Sequence, residues 1–361
     1  NGLGVDLDVV GKGIIEDGIY GIDALKYAAQ MAAMNLALIS PGNIVRENIH
    51  TMYLGYMPEK NQPRLGSLEL LINGRGIIGE GLELPEKFDL IIMNPPFTRA
   101  TGRVSDEYRE KGLFGFVTEG KYREMLRKRL DEVRRRANNE LRDIARSLAR
   151  NENLPNIIRE IINGRGEFKQ YLSIGQAGGG LLFLYLAYKY VKPGGVIAFV
   201  LPKNVLSGIS WFLARALLAS KFHVKYVIVS NDAENGYNFS EGTSLSEALI
   251  VAERVDSHEP SEETRFIMLM RKPKTDVEAA LLAEKILEGN THDVVMRVGR
   301  ADLLSNLDNW GLFVSFSDAG LIGDAISIMR GSLCGVNVPT TLLHGVIKSI
   351  GTDRHQFNDG F

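Results

Sequence analysis

The sequence has almost no cysteine, no long apolar run and no excess of charge of one sign, and each of these excludes a class of protein. It has a single cysteine, Cys334, in 361 residues, which excludes an internal disulfide framework and fits a reducing compartment. It has no apolar run long enough to span a membrane and no signal-peptide pattern, so we expect a cytoplasmic protein. It also lacks an excess of charge of one sign, with a net charge of −2, so any basic surface for a nucleic acid must be local.

Residues 88–97, Phe-Asp-Leu-Ile-Ile-Met-Asn-Pro-Pro-Phe, form the most informative segment. The apolar run at 90–93 predicts a short buried parallel strand. Two prolines follow and cannot continue the strand, because each lacks an N–H donor and has a fixed φ. The strand is therefore expected to end in a stiff turn at its carboxyl end, where open α/β sheets bind their ligands.

The turn has the chemistry of a receptor for an amino group. Asn94 offers a side-chain acceptor, and Pro95 offers a carbonyl held in place by two fixed φ angles. Two rigid acceptors side by side suit an exocyclic NH2 group, which has two protons to donate. Phe97 adds a flat apolar face on which a planar ring can stack. The alternative interpretation is a plain turn of two prolines after a core strand.

A second candidate site residue lies near the start of the chain. Residues 18–23 predict a strand that ends at Asp23, and residues 24–38 predict a helix rich in Ala, Leu and Met. An acidic residue at the carboxyl end of a strand can accept hydrogen bonds from ribose hydroxyls. Asp23 can also cap the following helix, and one role does not exclude the other. Residues 64–71 predict the next short strand.

Residues 121–150 stand out by their charge, with eleven Lys/Arg and five Asp/Glu. Apolar residues recur there at helical spacing, which predicts an amphipathic basic helix or pair of helices. Its basic side is either the solvated face of an inserted helix or an element that contacts phosphates beside the active site. Both interpretations stay open at the level of the sequence.

The remaining segments alternate between helix and strand. Strands are predicted at 196–201, 224–229, 246–254 and 265–270, and helices at 181–191, 210–220 and 276–287. The last two strands are joined by a polar loop without room for a crossover helix, so we expect them to pair antiparallel. The fold class is therefore α/β: a doubly wound, Rossmann-like sheet with an antiparallel ending and an inserted helical segment at about 103–172.

The Asn-Pro-Pro-Phe motif at 94–97, with its flanking segments, resembles S-adenosylmethionine-dependent N6-adenine DNA methyltransferases over roughly residues 18–255. The order of motifs is that of the gamma-type enzymes of restriction-modification systems. The catalytic residues implied by the resemblance form one continuous motif: Asn94, Pro95, Pro96 and Phe97.

The same resemblance implies roles outside the catalytic motif. S-adenosylmethionine is the implied cofactor, and the residues expected to contact it are Asp23, Ser67, Leu68 and Asn94. Phe97 and Phe239 are expected to bind the substrate, Phe239 by packing near a flipped-out base. Tyr237 is the rival for that second role, and a core aromatic is the alternative.

The sequence departs from the family pattern in two places. The motif at 65–68 lacks the acidic residue usual there, which puts contact with the cofactor's adenine in doubt. The Gly-rich loop expected before Asp23 is also missing, although residues 1–12 contain three glycines. We expect the chain to be a fragment whose loop lies upstream, and by itself to bind S-adenosylmethionine weakly.

The resemblance also implies an organisation and partners. A methyltransferase catalytic domain is expected at 1–270, and a C-terminal extension at 271–361 that begins a target-recognition module. DNA is the expected partner, with a restriction nuclease, a helicase or a specificity subunit. Rival interpretations are a ribosomal RNA base methyltransferase, a protein glutamine methyltransferase, and a non-catalytic DNA-binding or scaffold subunit with a decayed cofactor site.

Overall fold

The computed structural model describes residues 13–39, 48–57, 62–73, 84–96, 120–150, 154–174, 179–232, 234–240, 245–291, 293–314, 332–333 and 336–337. Its principal strands are β1 (Gly21–Asp23), β2 (Ile49–Thr51), β3 (Leu54–Met57), β4 (Gln62–Leu65), β5 (Phe88–Met93), β6 (Val191–Pro202), β7 (Phe222–Ser230), β8 (Glu247–Arg254), β9 (Glu263–Leu269) and β10 (Val294–Gly299). Two further strands of two residues each pair at 332–333 and 336–337.

The helices are α1 (Lys26–Ile39), α2 (Leu70–Asn73), α3 (Gly120–Leu148), α4 (Asn156–Asn163), α5 (Gly180–Tyr190), α6 (Phe212–Lys221), α7 (Asp276–Glu288) and α8 (Arg300–Ser305). Shorter turns of 3-10 helix lie at Gly66–Glu69, Gly166–Leu172, Lys203–Val205, Ile209–Trp211 and Trp310–Val314, and a π-helical turn lies at Ile14–Gly18. Within the described residues, no helix is both long and apolar enough to span a membrane.

The main sheet has six strands in the order β10-β9-β7-β8-β6-β5. The pairs β5–β6 and β7–β9 are parallel, whereas β8 runs antiparallel between β6 and β7, and β10 runs antiparallel along β9. Four of the six strands therefore point the same way, and helices pack against them. The expected α/β fold with an antiparallel ending is confirmed. Separately, β1 and β2 form a small parallel sheet, and β3 and β4 form a hairpin.

The predicted pairing of β8 with β9 is wrong, because β7 lies between them. Residues 255–262 join the two strands and need to cross only one intervening strand, a distance of roughly 10 Å. A loop of this length crosses that distance easily. β8 and β9 still run in opposite directions, as expected, but each uses a different edge of β7.

Two further strand predictions need correction. The strand predicted at 64–71 ends at Leu65, because Gly66 has a φ of +61° and the chain turns there into 3-10 helix. The strand β5 is parallel to β6 as predicted, yet it is only partly buried: Ile91 is buried, whereas Leu90 and Ile92 are 53% and 73% exposed. Among the described strands, β5 forms one edge of the sheet.

The basic amphipathic segment forms a single helix of 29 residues, α3. Its apolar side is buried against α6 and the β3–β4 hairpin, through Leu126, Leu130, Val133, Ala137 and Leu141. Several of its cations pair with acids one turn away on the same helix, at separations of three or four residues. Such pairs are typical of a solvated helical face.

The sheet continues beyond residue 270. β10 hydrogen-bonds along β9, and Trp310 is fully buried in the core. The guanidinium of Arg215, itself fully buried on α6, donates to the carbonyls of Leu307 and Asp308 at 2.7 and 2.8 Å and so holds this stretch in place. A recognition module beginning in 271–361 therefore remains a proposal that depends on residues after 314, which lie outside the described residues except at 332–333 and 336–337.

Candidate functional site

A cavity of about 610 Å³ opens at the carboxyl ends of β1 and β5. It brings together six of the residues predicted for the site, from three separate segments: Asp23, Ser67, Leu68, Asn94, Pro95 and Pro96. Phe97 lies outside the described residues. The rest of the wall is mainly apolar, with Leu186 and Phe183 of α5 forming one side.

Asp23 is positioned by the short β1–β2 sheet and by the start of α1. Its carbonyl accepts from the Met52 N–H at 2.8 Å. Its Oδ1 accepts from the Leu25 N–H at 2.7 Å. The predicted capping role is wrong, because α1 begins at Lys26, two residues later than expected, and the Leu25 carbonyl accepts from the Ala29 N–H. Asp23 therefore stabilises the turn that leads into the helix. The carboxylate also lines the cavity, and its second oxygen can serve a ligand.

The turn that presents Ser67 and Leu68 is built on Gly66. A side chain at position 66 would be strained by the positive φ, and its Cβ would also lie 3.4 Å from the Met52 carbonyl oxygen. The Gly66 N–H donates to the carbonyl of Tyr53 at 3.0 Å, which ties the turn to the β3–β4 hairpin. Glycine therefore lets the chain reverse at the cavity wall, where Ser67 is half-buried.

Behind this turn lies a buried ion pair that the sequence did not reveal. Glu69 is 1% exposed. Its Oε1 accepts from the Leu65 N–H at 2.9 Å and from Arg129 Nε at 2.7 Å, and its Oε2 accepts from Arg129 Nη2 at 2.5 Å. The hydrogen bond to Glu69 raises the pKa of Arg129. The inserted helix α3 therefore supports the wall of the cavity directly.

Asn94 and the two prolines form the turn predicted at the end of β5. The Asn94 Nδ2 donates to Ser240 Oγ at 3.0 Å. Within the described residues no hydrogen bond reaches Asn94 Oδ1, so this acceptor is available to a ligand. The turn packs tightly against the start of α5, since a Cβ on Gly179 would lie 3.2 Å from the Pro96 carbonyl oxygen.

The electrostatics of the wall limit what the cavity can bind. Asp23 is a carboxylate, and no described residue of the lining is a cation. Burial raises the pKa of the Tyr190 phenol, which therefore stays neutral and donates to the Leu70 carbonyl at 3.3 Å. A phosphate would find no charge partner among these groups, whereas a neutral or cationic ligand with hydroxyls and a flat apolar part would match the wall.

Phe239 is not part of the described lining of this cavity. Its side chain packs against an apolar cluster that includes Ile267, Leu269 and Ile286, on β9 and α7. It is linked to the site through its neighbour Ser240, which holds Asn94. Packing of this kind is typical of a core aromatic, so a role in substrate binding remains a prediction.

Comparison with known proteins gave matches in structure only. No protein-family model and no curated protein matches the chain. A type I restriction-modification methyltransferase subunit from Streptococcus thermophilus matches at 16% identity and a TM-score of 0.41, covering 85% of this chain and 57% of its own. The type IIG restriction endonuclease BpuSI matches at 16% and 0.42, covering 90% and 30%. The type I restriction enzyme EcoKI M protein matches at 12% and 0.41, covering 99% and 66%. The chain thus spans less than two thirds of each of these structures.

Proposed function

We propose that the chain is the catalytic part of a DNA methyltransferase that transfers a methyl group from S-adenosylmethionine to N6 of a flipped-out adenine. The observation that carries the proposal is the position of Asn94 and Pro95. They follow a parallel strand and line the same cavity as the Asp23 carboxylate. A receptor for an amino group thus adjoins a group suited to hold a ribose.

The described wall of the cavity fits the nucleoside and the sulfonium of S-adenosylmethionine. No described residue of the lining is a cation, so the carboxylate of the methionine part has no charge partner among them. The single carboxylate matches a ligand that carries ribose hydroxyls and a positive sulfonium, and the apolar wall matches an adenine ring. Asp23 would hold the ribose, while Ser67 and Leu68 would lie along the nucleoside. When bound, the cofactor supplies the electrophilic methyl group.

The substrate amino group would be held by the turn after β5. The Asn94 Oδ1 and the Pro95 carbonyl accept hydrogen bonds from its two N–H groups, and Phe97 stacks on the ring. Adenine's amino lone pair is delocalised into the ring, so orientation and polarisation by fixed acceptors matter more than a strong base. The target base lies inside a duplex and must flip out, which costs a few kcal/mol.

DNA is proposed over RNA because of the inserted segment and the C-terminal extension, which compact RNA-modifying enzymes usually lack. The structure makes α3 a support for the cavity wall through Arg129. Its exposed cations, such as Lys121 and Arg135, remain available for phosphates. A nuclease, helicase or specificity subunit of a restriction-modification system is the proposed partner, and residues after 314 are proposed to begin the target-recognition module.

The choice of macromolecule is tested by methyl transfer from labelled S-adenosylmethionine. The full-length gene product is incubated with unmethylated genomic DNA, ribosomal RNA or a protein mixture in separate reactions. We expect label in DNA alone. Label only in ribosomal RNA, or only in protein, would move the chain to one of the rival classes. Binding of DNA without any transfer would favour the scaffold interpretation.

A further inference from the structure

The side chain of Asn94 is held by a hydrogen bond to Ser240, a residue far along the chain. Its Nδ2 donates to Ser240 Oγ at 3.0 Å, across a sequence separation of 146 residues. A carboxamide has a donor end and an acceptor end. With the donor end engaged by Ser240, the acceptor Oδ1 is the end left for the cavity that Asn94 lines.

Ser240 is fixed in turn by Glu247, the first residue of β8. The Glu247 side chain is fully buried. Its Oε2 accepts from the backbone N–H groups of Phe239 and Ser240, each at 2.7 Å. Hydrogen bonds to an ionised acceptor are stronger than neutral ones. One carboxylate oxygen therefore anchors two consecutive amides and fixes the position of the Ser240 hydroxyl relative to β8.

The other oxygen of the Glu247 carboxylate lowers the stability of the folded protein. Glu247 Oε1 is buried and has no hydrogen-bond partner among the described residues. A buried charged group that is only partly satisfied lowers stability. A buried carboxylate of this kind is a feature that a role in the site would explain.

We propose that Ser240 and Glu247 are positioning residues for Asn94, an inference that rests on the proposed methyl transfer. They keep the amide turned so that it offers an acceptor to the substrate amino group. Without the Ser240 hydroxyl, the amide loses the hydrogen bond that holds it in place, and it is free to turn and present its NH2 instead. Two amino groups facing each other are both donors and cannot bond, so the substrate loses one of its two acceptors.

The first test replaces the hydroxyl. Ser240→Ala is expected to lower kcat about 5–10-fold with the KM for DNA and cofactor within about twofold, since one neutral hydrogen bond is lost. Ser240→Thr keeps the hydroxyl and should recover most of the rate. Ser147→Ala is the matched control, because its hydroxyl donates to the carbonyl of Ile144 on the same helix, α3, and it should leave kcat unchanged.

The second test concerns the anchor. Glu247→Gln keeps an acceptor for the two backbone amides but removes the charge, and we expect a loss in kcat of about threefold. Glu247→Ala removes the acceptor and should lose at least as much as Ser240→Ala. Glu253→Gln, at the far end of the same strand where the carboxylate pairs with Lys225, is the control and should keep the wild-type rate.

A readout independent of catalysis separates this inference from the proposed function. Hydrogen exchange of the Asn94 side-chain NH2, followed by NMR and assigned by its loss in Asn94→Ala, should quicken about 5–10-fold in Ser240→Ala. An unchanged exchange rate, or a kcat for Ser240→Ala within twofold of wild type, would overturn the positioning role. If the wild-type protein shows the expected exchange but transfers no methyl group, the proposed function fails, and with it the catalytic purpose of the hydrogen bond.

Discussion

Replacing Asn94 with alanine is expected to lower kcat for methyl transfer by about 10²–10³-fold. The change removes one of two fixed acceptors for the reacting amino group, and loss of one preorganised polar contact in an active site has an effect of about this size. Because Asn94 lies exposed in a turn, the free energy of unfolding should stay close to that of the wild type. Steady-state kinetics and chemical denaturation on the same samples measure both quantities.

Two further variants make the Asn94 result specific. Asn94→Asp keeps an acceptor, and Ser240 can then donate to it, so a smaller loss is expected than with alanine. Asn139→Ala removes the same side chain from the exposed side of α3 and should leave kcat unchanged. Near-native turnover by Asn94→Ala would contradict the role given to the amide.

Replacing Arg129 with alanine is expected to lower the free energy of unfolding by about 3 kcal/mol, because a buried carboxylate then loses its partner. Glu69 is 1% exposed and would keep only the Leu65 N–H of its present partners. The turn that carries Ser67 rests on Glu69, so the KM for S-adenosylmethionine should rise as well. Urea denaturation measures the first effect, and kinetics at varied cofactor concentration measures the second.

The matched control lies on the same helix. Arg136 pairs with Glu132 at 2.7 Å, but both side chains are well exposed, at 53% and 39%. Arg136→Ala should therefore change the free energy of unfolding by less than about 1 kcal/mol. A double variant, Arg129→Ala with Glu69→Leu, removes the unpaired charge and should recover part of the loss. Equal effects of Arg129→Ala and Arg136→Ala would contradict the importance given to the buried pair.

The parts of the fold that follow from local chemistry were predictable from the sequence. The turn after β5 is dictated by two adjacent prolines, which have no N–H to donate. The helix α3 follows from apolar residues at helical spacing, and eight apolar residues of this helix are buried in the structure. α7 likewise begins where Thr275 caps it, its side chain accepting from the Glu278 N–H.

Features that depend on distant segments were not predictable. The place of β7 between β8 and β9 depends on which strand edges meet in the folded sheet, and the loop sequence does not encode it. Glu69 and Arg129 are 60 residues apart. The residues around Glu69 in the sequence do not identify Arg129 as its partner.

In the candidate site, too, some residues were predictable from the sequence and others were not. Asp23, Asn94 and Pro95 were identified from motifs at the ends of strands, and the structure brings them to one cavity. The support of Asn94 by Ser240 and Glu247 was missed, although Ser240 directly follows Phe239, which the sequence singled out. The resemblance drew attention to that aromatic residue, whereas in the structure the neighbouring serine makes the contact with Asn94.

The proposed methylation of adenine at N6 is tested most directly by analysis of the methylated product. DNA methylated by the full-length gene product with labelled S-adenosylmethionine is digested to nucleosides, which are separated and identified by mass. We predict that the label is recovered as N6-methyladenine and disappears in Asn94→Ala. Label recovered on cytosine, or on any ring atom rather than an exocyclic amino group, would contradict the assignment.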